Sequence, residues 1–72
     1  MTQEDIRIMA DEKNWRVYEG YSGRMMFGMK CIGIITDDPT SVIEEAASRG
    51  IRGAKYDQLG KGWIVYWPDI QK

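Results

Sequence analysis

The chain is 72 residues long, with ten basic residues, eleven acidic ones and a net charge of −1. That length holds one domain, taken as residues 1–72, and the near-neutral balance excludes both the basic face of a general nucleic-acid binder and the acidic excess of a DNA mimic. One cysteine and no histidine exclude an internal disulfide and a zinc site.

A domain this small needs extra support, and the sequence offers aromatic packing, from three tryptophans and four tyrosines, and self-association. No apolar run approaches the ~18 residues of a membrane helix. The opening Met-Thr-Gln-Glu-Asp lacks the basic and apolar regions of a signal peptide. A lone reduced cysteine fits the same compartment, so a cytoplasmic protein without membrane contact is expected.

Thr2 followed by Asp5 resembles a helix N-cap with acidic residues in the first turn. Ile6, Met9, Ala10 and Lys13 recur at helical spacing, so a short helix is expected near residues 3–12, although Ile6 and Ile8 would also suit a strand. Trp15 to Tyr21 then alternates, placing Trp15, Val17 and Tyr21 on one face of a strand and Arg16, Tyr18 and Gly20 on the other. Ser22 to Gly28 breaks the pattern and reads as a loop or distorted hairpin. Lys30 to Thr36 is apolar on both faces, as a central strand is, and Gly33 leaves a gap for a neighbouring ring or backbone.

Asp37-Asp38-Pro39-Thr40-Ser41 is a helix start, with Asp38 as cap and Pro39 in the first position. Ser41 with Glu44 is an alternative capping box. Val42, Ile43, Ala46 and Ala47 form an apolar stripe, Glu45 can pair with Arg49, and Gly50 sits where a helix ends in the left-handed conformation. A strand near Ala54 to Gln58, a hairpin loop Leu59-Gly60-Lys61-Gly62 and a strand from Trp63 to Trp67 complete the chain. Together these predict an α+β domain in the order α-β-β-α-β-β: a small antiparallel sheet of about four strands, one helix packed on it, and a short N-terminal helix.

Four of the eight glycines fall between Gly20 and Gly33. Gly20 and Gly33 lie within predicted strands, where they can admit neighbouring rings; Gly23 and Gly28 bracket the loop and have no such role. In Tyr21 to Gly28, Ser22, Arg24 and the amides of Gly23 and Gly28 could hold phosphate or carboxylate, with Tyr18, Tyr21 or Phe27 covering a base. A glycine-rich connection with a merely solvated arginine explains the same residues. The spacing matches neither a P-loop nor a dinucleotide fingerprint. Met25, Met26 and Met29, with Phe27, suit an adaptable protein interface or else plug a small core.

The remaining candidates read as structural. Trp63, Tyr66 and Trp67 alternate on a strand with few basic residues beside them, so core and cross-strand packing account for them better than base stacking. Asp37 and Asp38 are explained by capping, and Asp57 is expected near a turn, so no metal site is expected. Cys31 has no histidine to activate it and is expected to be buried. Neither a catalytic constellation nor a cofactor motif emerges, and a non-enzymatic protein is expected.

The stretch Y-S-G-R-M-M-F-G-M-K-C-I-G-I (Tyr21 to Ile34) and the stretch I-V-Y-W-P (Ile64 to Pro68) resemble patterns in short uncharacterised accessory proteins of tailed bacteriophages. The resemblance spans Trp15 to Ile70 and carries no catalytic residue with it. It implies a phage context, in the host cytoplasm, in which such a protein counters a host process by binding. Two functions follow as expectations. One is sequestration of a small anionic ligand, such as a nucleotide signal, at a site completed in a homo-oligomer. The other is an anti-CRISPR-like inhibitor or adaptor that binds a host protein through the methionine-rich loop.

Overall fold

The computed structural model describes residues 2–23 and 30–70. Its elements are α1 (Gln3–Lys13), β1 (Arg16–Tyr21), β2 (Cys31–Thr36), α2 (Pro39–Ser48), β3 (Lys55–Leu59) and β4 (Gly62–Tyr66). The expected α-β-β-α-β-β order holds, and the four strands form one antiparallel sheet in the order β1-β2-β4-β3. No helix among the described residues is long and apolar enough to cross a membrane.

Helix ends follow the sequence signals. The Thr2 N–H donates to the Asp5 carboxylate at 2.9 Å, satisfying one of the groups a helix start leaves open. Asn14 adopts the left-handed conformation (φ 60°), which lets the Trp15 N–H close back on the Ala10 carbonyl at 2.8 Å. Asp38 caps α2 through the Ser41 N–H and hydroxyl, with Pro39 in the first turn, and the Ser41–Glu44 box is not used. Gly50 is left-handed (φ 80°), as its place after α2 requires.

Both helices lie on the same face of the sheet. Ile6, Met9 and Ala10 from α1 and Val42 and Ala46 from α2 are buried against Ile32, Ile34, Val65 and Trp67. Arg7 ties α1 to the edge strand by two 2.8 Å bonds to the Glu19 carboxylate, which they hold below the usual carboxylate range. Lys13, Glu45, Arg49 and Glu12 form an ion-pair chain between the helices.

Among the described residues no helix covers the second face. Residues directly opposite one another in an antiparallel sheet point to one side, so the register puts Arg16, Tyr18 and Tyr21, then Cys31, Gly33 and Ile35, Ile64 and Tyr66, and finally Lys55, Asp57 and Leu59 on this face. Cys31, Ile64 and Tyr66 are buried there, with Tyr21, Ile35 and Leu59 packed around them. Burial raises the Cys31 thiol above its ordinary value, in keeping with a packing role.

Two expectations are corrected on β1. The register between β1 and β2 slips between Tyr18 and Tyr21, and Gly20 at this bulge has φ +70°. Gly20 therefore serves backbone conformation rather than the admission of a ring. The extra residue also turns Tyr21 to the face opposite Val17, not the same one, because a bulge inverts the alternation that follows it. Gly33 does fill the role of a gap, though for an aliphatic chain and backbone: a Cβ there would lie 2.8 Å from Ile64 Cδ1 and 3.1 Å from the Val65 carbonyl oxygen. Gly33→Ala is expected to destabilise the fold by about 1–3 kcal/mol, the usual cost of overpacking, measured by urea unfolding.

Candidate functional site

The second face owes its organisation to Asp57. This residue lies two positions before the end of β3, opposite Ile64 and near the hairpin turn, as expected. The bulge at Gly20 swings Tyr21 from one edge of the sheet toward the other, where its hydroxyl donates to Asp57 Oδ2 at 2.7 Å. The Tyr66 hydroxyl, from the intervening β4, donates to Asp57 Oδ1 at 3.3 Å. The two rings sit 5.0 Å apart with their planes tilted by 57°, and Tyr18 meets Tyr21 edge-on at 5.8 Å.

After Tyr21 the chain passes directly over this cluster. A Cβ on Gly23 would stand 3.0 Å from Asp57 Oδ2 and 3.0 Å from the Tyr66 ring. Gly23 thus has a packing reason that the sequence reading did not give it. Its lack of a side chain lets the backbone approach the carboxylate.

Beside the cluster lies an open cleft of about 500 Å3, lined by Tyr21, Ser22, Gly23, Tyr56, Asp57, Gln58 and Trp63. Tyr56 and Trp63 form an aromatic pair on the opposite face of the β3–β4 hairpin from Asp57, with ring centroids 5.7 Å apart. Clefts of about 440 and 400 Å3 flank Ile8 on α1. Arg7, Glu19 and Arg49 in their linings are ion-paired, whereas the Asp57 cleft has a carboxylate held by hydroxyl donors. A carboxylate offers about four lone-pair positions, of which the tyrosines take two.

The electrostatics keep both phenols as donors. Burial, followed by the hydrogen bond to Asp57, pushes the Tyr21 hydroxyl well above its ordinary range. Tyr66 is raised in the same way, with burial again the leading cause and the Asp57 charge next. Both phenols therefore stay protonated and orient the carboxylate as fixed donors. Asp57 is left as an aimed acceptor for N–H groups. Among the described residues no group of three or more cysteine, aspartate or glutamate side chains converges as metal ligands would.

Of the seven residues expected to bind a ligand, Tyr21, Ser22 and Gly23 line this cleft. Tyr18 is exposed on the edge strand and touches the site only through Tyr21. Arg24, Phe27 and Gly28, and the interface candidates Met25, Met26 and Met29, lie outside the described residues. Tyr66 and Trp67 are buried and Trp63 half-buried, in line with their reading as packing residues. Sequence reasoning missed Asp57, Tyr56 and Gln58. The signal was available in the hairpin: counting back from Gly60-Lys61 pairs Asp57 with Ile64 and sets it diagonally beside Tyr66 on one face.

Comparison of the chain with protein-family models, curated proteins and solved structures finds no match. The site's chemistry is therefore the ground on which its function is argued.

The raised Tyr21 hydroxyl has a pH signature. A tyrosine whose proton is held more tightly in the folded state contributes stability that is intact below its ordinary value of 10.0 and is lost as pH rises through the folded value. Tyr21→Phe is expected to lower stability by about 1–2 kcal/mol at neutral pH, through loss of a bond to a charged acceptor. It should also make the alkaline decline shallower than in the wild type. Urea unfolding at neutral pH and above pH ~10 compares the two slopes.

Proposed function

We propose that the chain is a non-enzymatic binding protein that sequesters a small anionic ligand of the nucleotide class. The observation that carries this reading is the Asp57 carboxylate, fixed by two tyrosine hydroxyls at the wall of an open cleft on the second face. A nucleobase offers N–H donors on its edge and a π-face on its ring, and the second face offers a partner for each: Asp57 for the edge and the Tyr21 ring for the face. The anionic end would lie toward Ser22 and Gly23, where the close backbone approach has an N–H to give and where Arg24 follows in sequence. The resemblance to phage accessory proteins supplies the purpose, removal of a nucleotide signal from a host process.

The alternative is a protein-binding inhibitor or adaptor of the anti-CRISPR-like kind, anchored by Met25, Met26 and Met29. One observation favours it: β3 is an edge strand of the sheet and borders the cleft, so an extended segment of another protein has a place to pair. Retention of every host partner by a folded Met26→Asp variant would remove this alternative.

Isothermal titration of linear and cyclic purine and pyrimidine nucleotides tests the primary reading. The wild type is expected to bind at least one of them. Asp57→Asn and Arg24→Ala should each weaken binding about tenfold or more, the scale of one charge-assisted hydrogen bond. Absence of binding by the wild type, or equal binding by all three proteins, overturns the proposal.

A further inference from the structure

Strand β3 is built to pair with itself. Leu59 and Gly62 flank a two-residue turn in which Gly60 has φ +60°, and residues flanking such a turn exchange hydrogen bonds. The alternation of an antiparallel ladder then makes Asp57–Ile64 and Lys55–Tyr66 the other bonded pairs. The backbone N–H and C=O of Tyr56 and Gln58 consequently point away from β4, toward the outside of the sheet. Among the described residues no backbone hydrogen bond reaches them. Tyr56 is also the most exposed large apolar side chain among the described residues, at 54%.

The other sheet edge is blunted. On β1 the bulge at Gly20 interrupts a straight ladder, and the Arg7–Glu19 ion pair stands beside it. Both are devices that discourage strand addition. On β3 neither is present among the described residues, and the side chains are self-complementary. A two-fold axis at Tyr56 sets each Tyr56 opposite its counterpart in a bonded pair. It sets Lys55 opposite Asp57 of the partner subunit in the non-bonded pair next to it, where side chains stand closest. Each opposite-charge contact occurs twice by symmetry. On the other face, the Tyr56–Trp63 aromatic pair of each copy meets that of its partner.

We infer that two copies of this chain associate through their β3 edges in an antiparallel register centred on Tyr56, joining two four-stranded sheets into one of eight. The inference rests on the edge and not on the ligand reading, and its test reads mass rather than ligand. It does have a consequence for the cleft. The described lining of one copy contains no cation, and the pairing brings Lys55 of the partner subunit beside Asp57 at its rim.

A single strand-to-strand contact is a small interface, below roughly 1,200 Å2, so a dimer in the micromolar range is expected. Sedimentation velocity and native mass spectrometry across roughly 1–500 μM should show a dimer that dissociates on dilution. Lys55→Glu places like charges opposite each other twice and should raise the dimer dissociation constant about tenfold or more. Glu44→Lys, a change of charge equal in size and opposite in sign on exposed α2, should leave it unchanged. Tyr56→Cys, at an exposed position where the paired Cα atoms would lie ~5.5 Å apart, should form an intersubunit disulfide under mild oxidation. A monomer at every concentration overturns the inference, including one that pairs with a segment of another protein. So does a folded Lys55→Glu variant that dimerises like the wild type, or a Tyr56→Cys variant that stays uncrosslinked.

Discussion

The hydrogen bond from Tyr21 to Asp57 joins the two ends of the sheet. Tyr21 stands at the end of β1, Asp57 in β3, and β2 and β4 lie between them. The bond therefore closes a strap across the whole second face, with Tyr66 bonded to the same carboxylate midway. Three features depend on it. Tyr21 must turn over the sheet, which requires the left-handed residue at Gly20. The chain after it must pass close to the carboxylate, which requires Gly23 to lack a side chain. The aromatic rings must cover Cys31 and Ile64, which have no helix above them among the described residues.

The strap matters because, among the described residues, both helices serve the other face. A sheet of four strands with helices on one side leaves an apolar second side. The solution uses aromatic rings as a partial layer, fixed at their polar ends by one shared acceptor. Gly33 contributes by letting Ile64 lie flat against the sheet, which keeps this layer thin. A carboxylate in such a place needs its lone pairs satisfied. Two phenol donors fill one position on each oxygen, and their own raised ionisation follows from the same burial and the same charge.

Much of the fold was legible because its signals are local. Asp38-Pro39 announces a helix through chemistry contained in one turn, and Gly60-Lys61 sets a hairpin whose register is fixed by the turn itself. Alternation in Trp63 to Trp67 separated Val65 and Trp67 from Ile64 and Tyr66 correctly, since nothing interrupts β4. The site was less legible because it is assembled across strands. Ser22 and Gly23 attract attention as unusual residues in a loop, whereas Asp57 looks like an ordinary turn residue until β3 is placed beside β4. The bulge at Gly20 defeats strict alternation, and with it the placement of Tyr21. A glycine in a strand allows a bulge or a close contact equally, and only the backbone angle separates them.

The same geometry bears on what kind of function the face supports. Asp57 is held by hydroxyl donors from β1 and β4, so the direction of its carboxylate is fixed. Such a group discriminates among ligands by the donors they present, because a partner lacking the right N–H leaves a desolvated acceptor unpaired. Beside it, the Tyr21 ring supplies contact area with little directional demand.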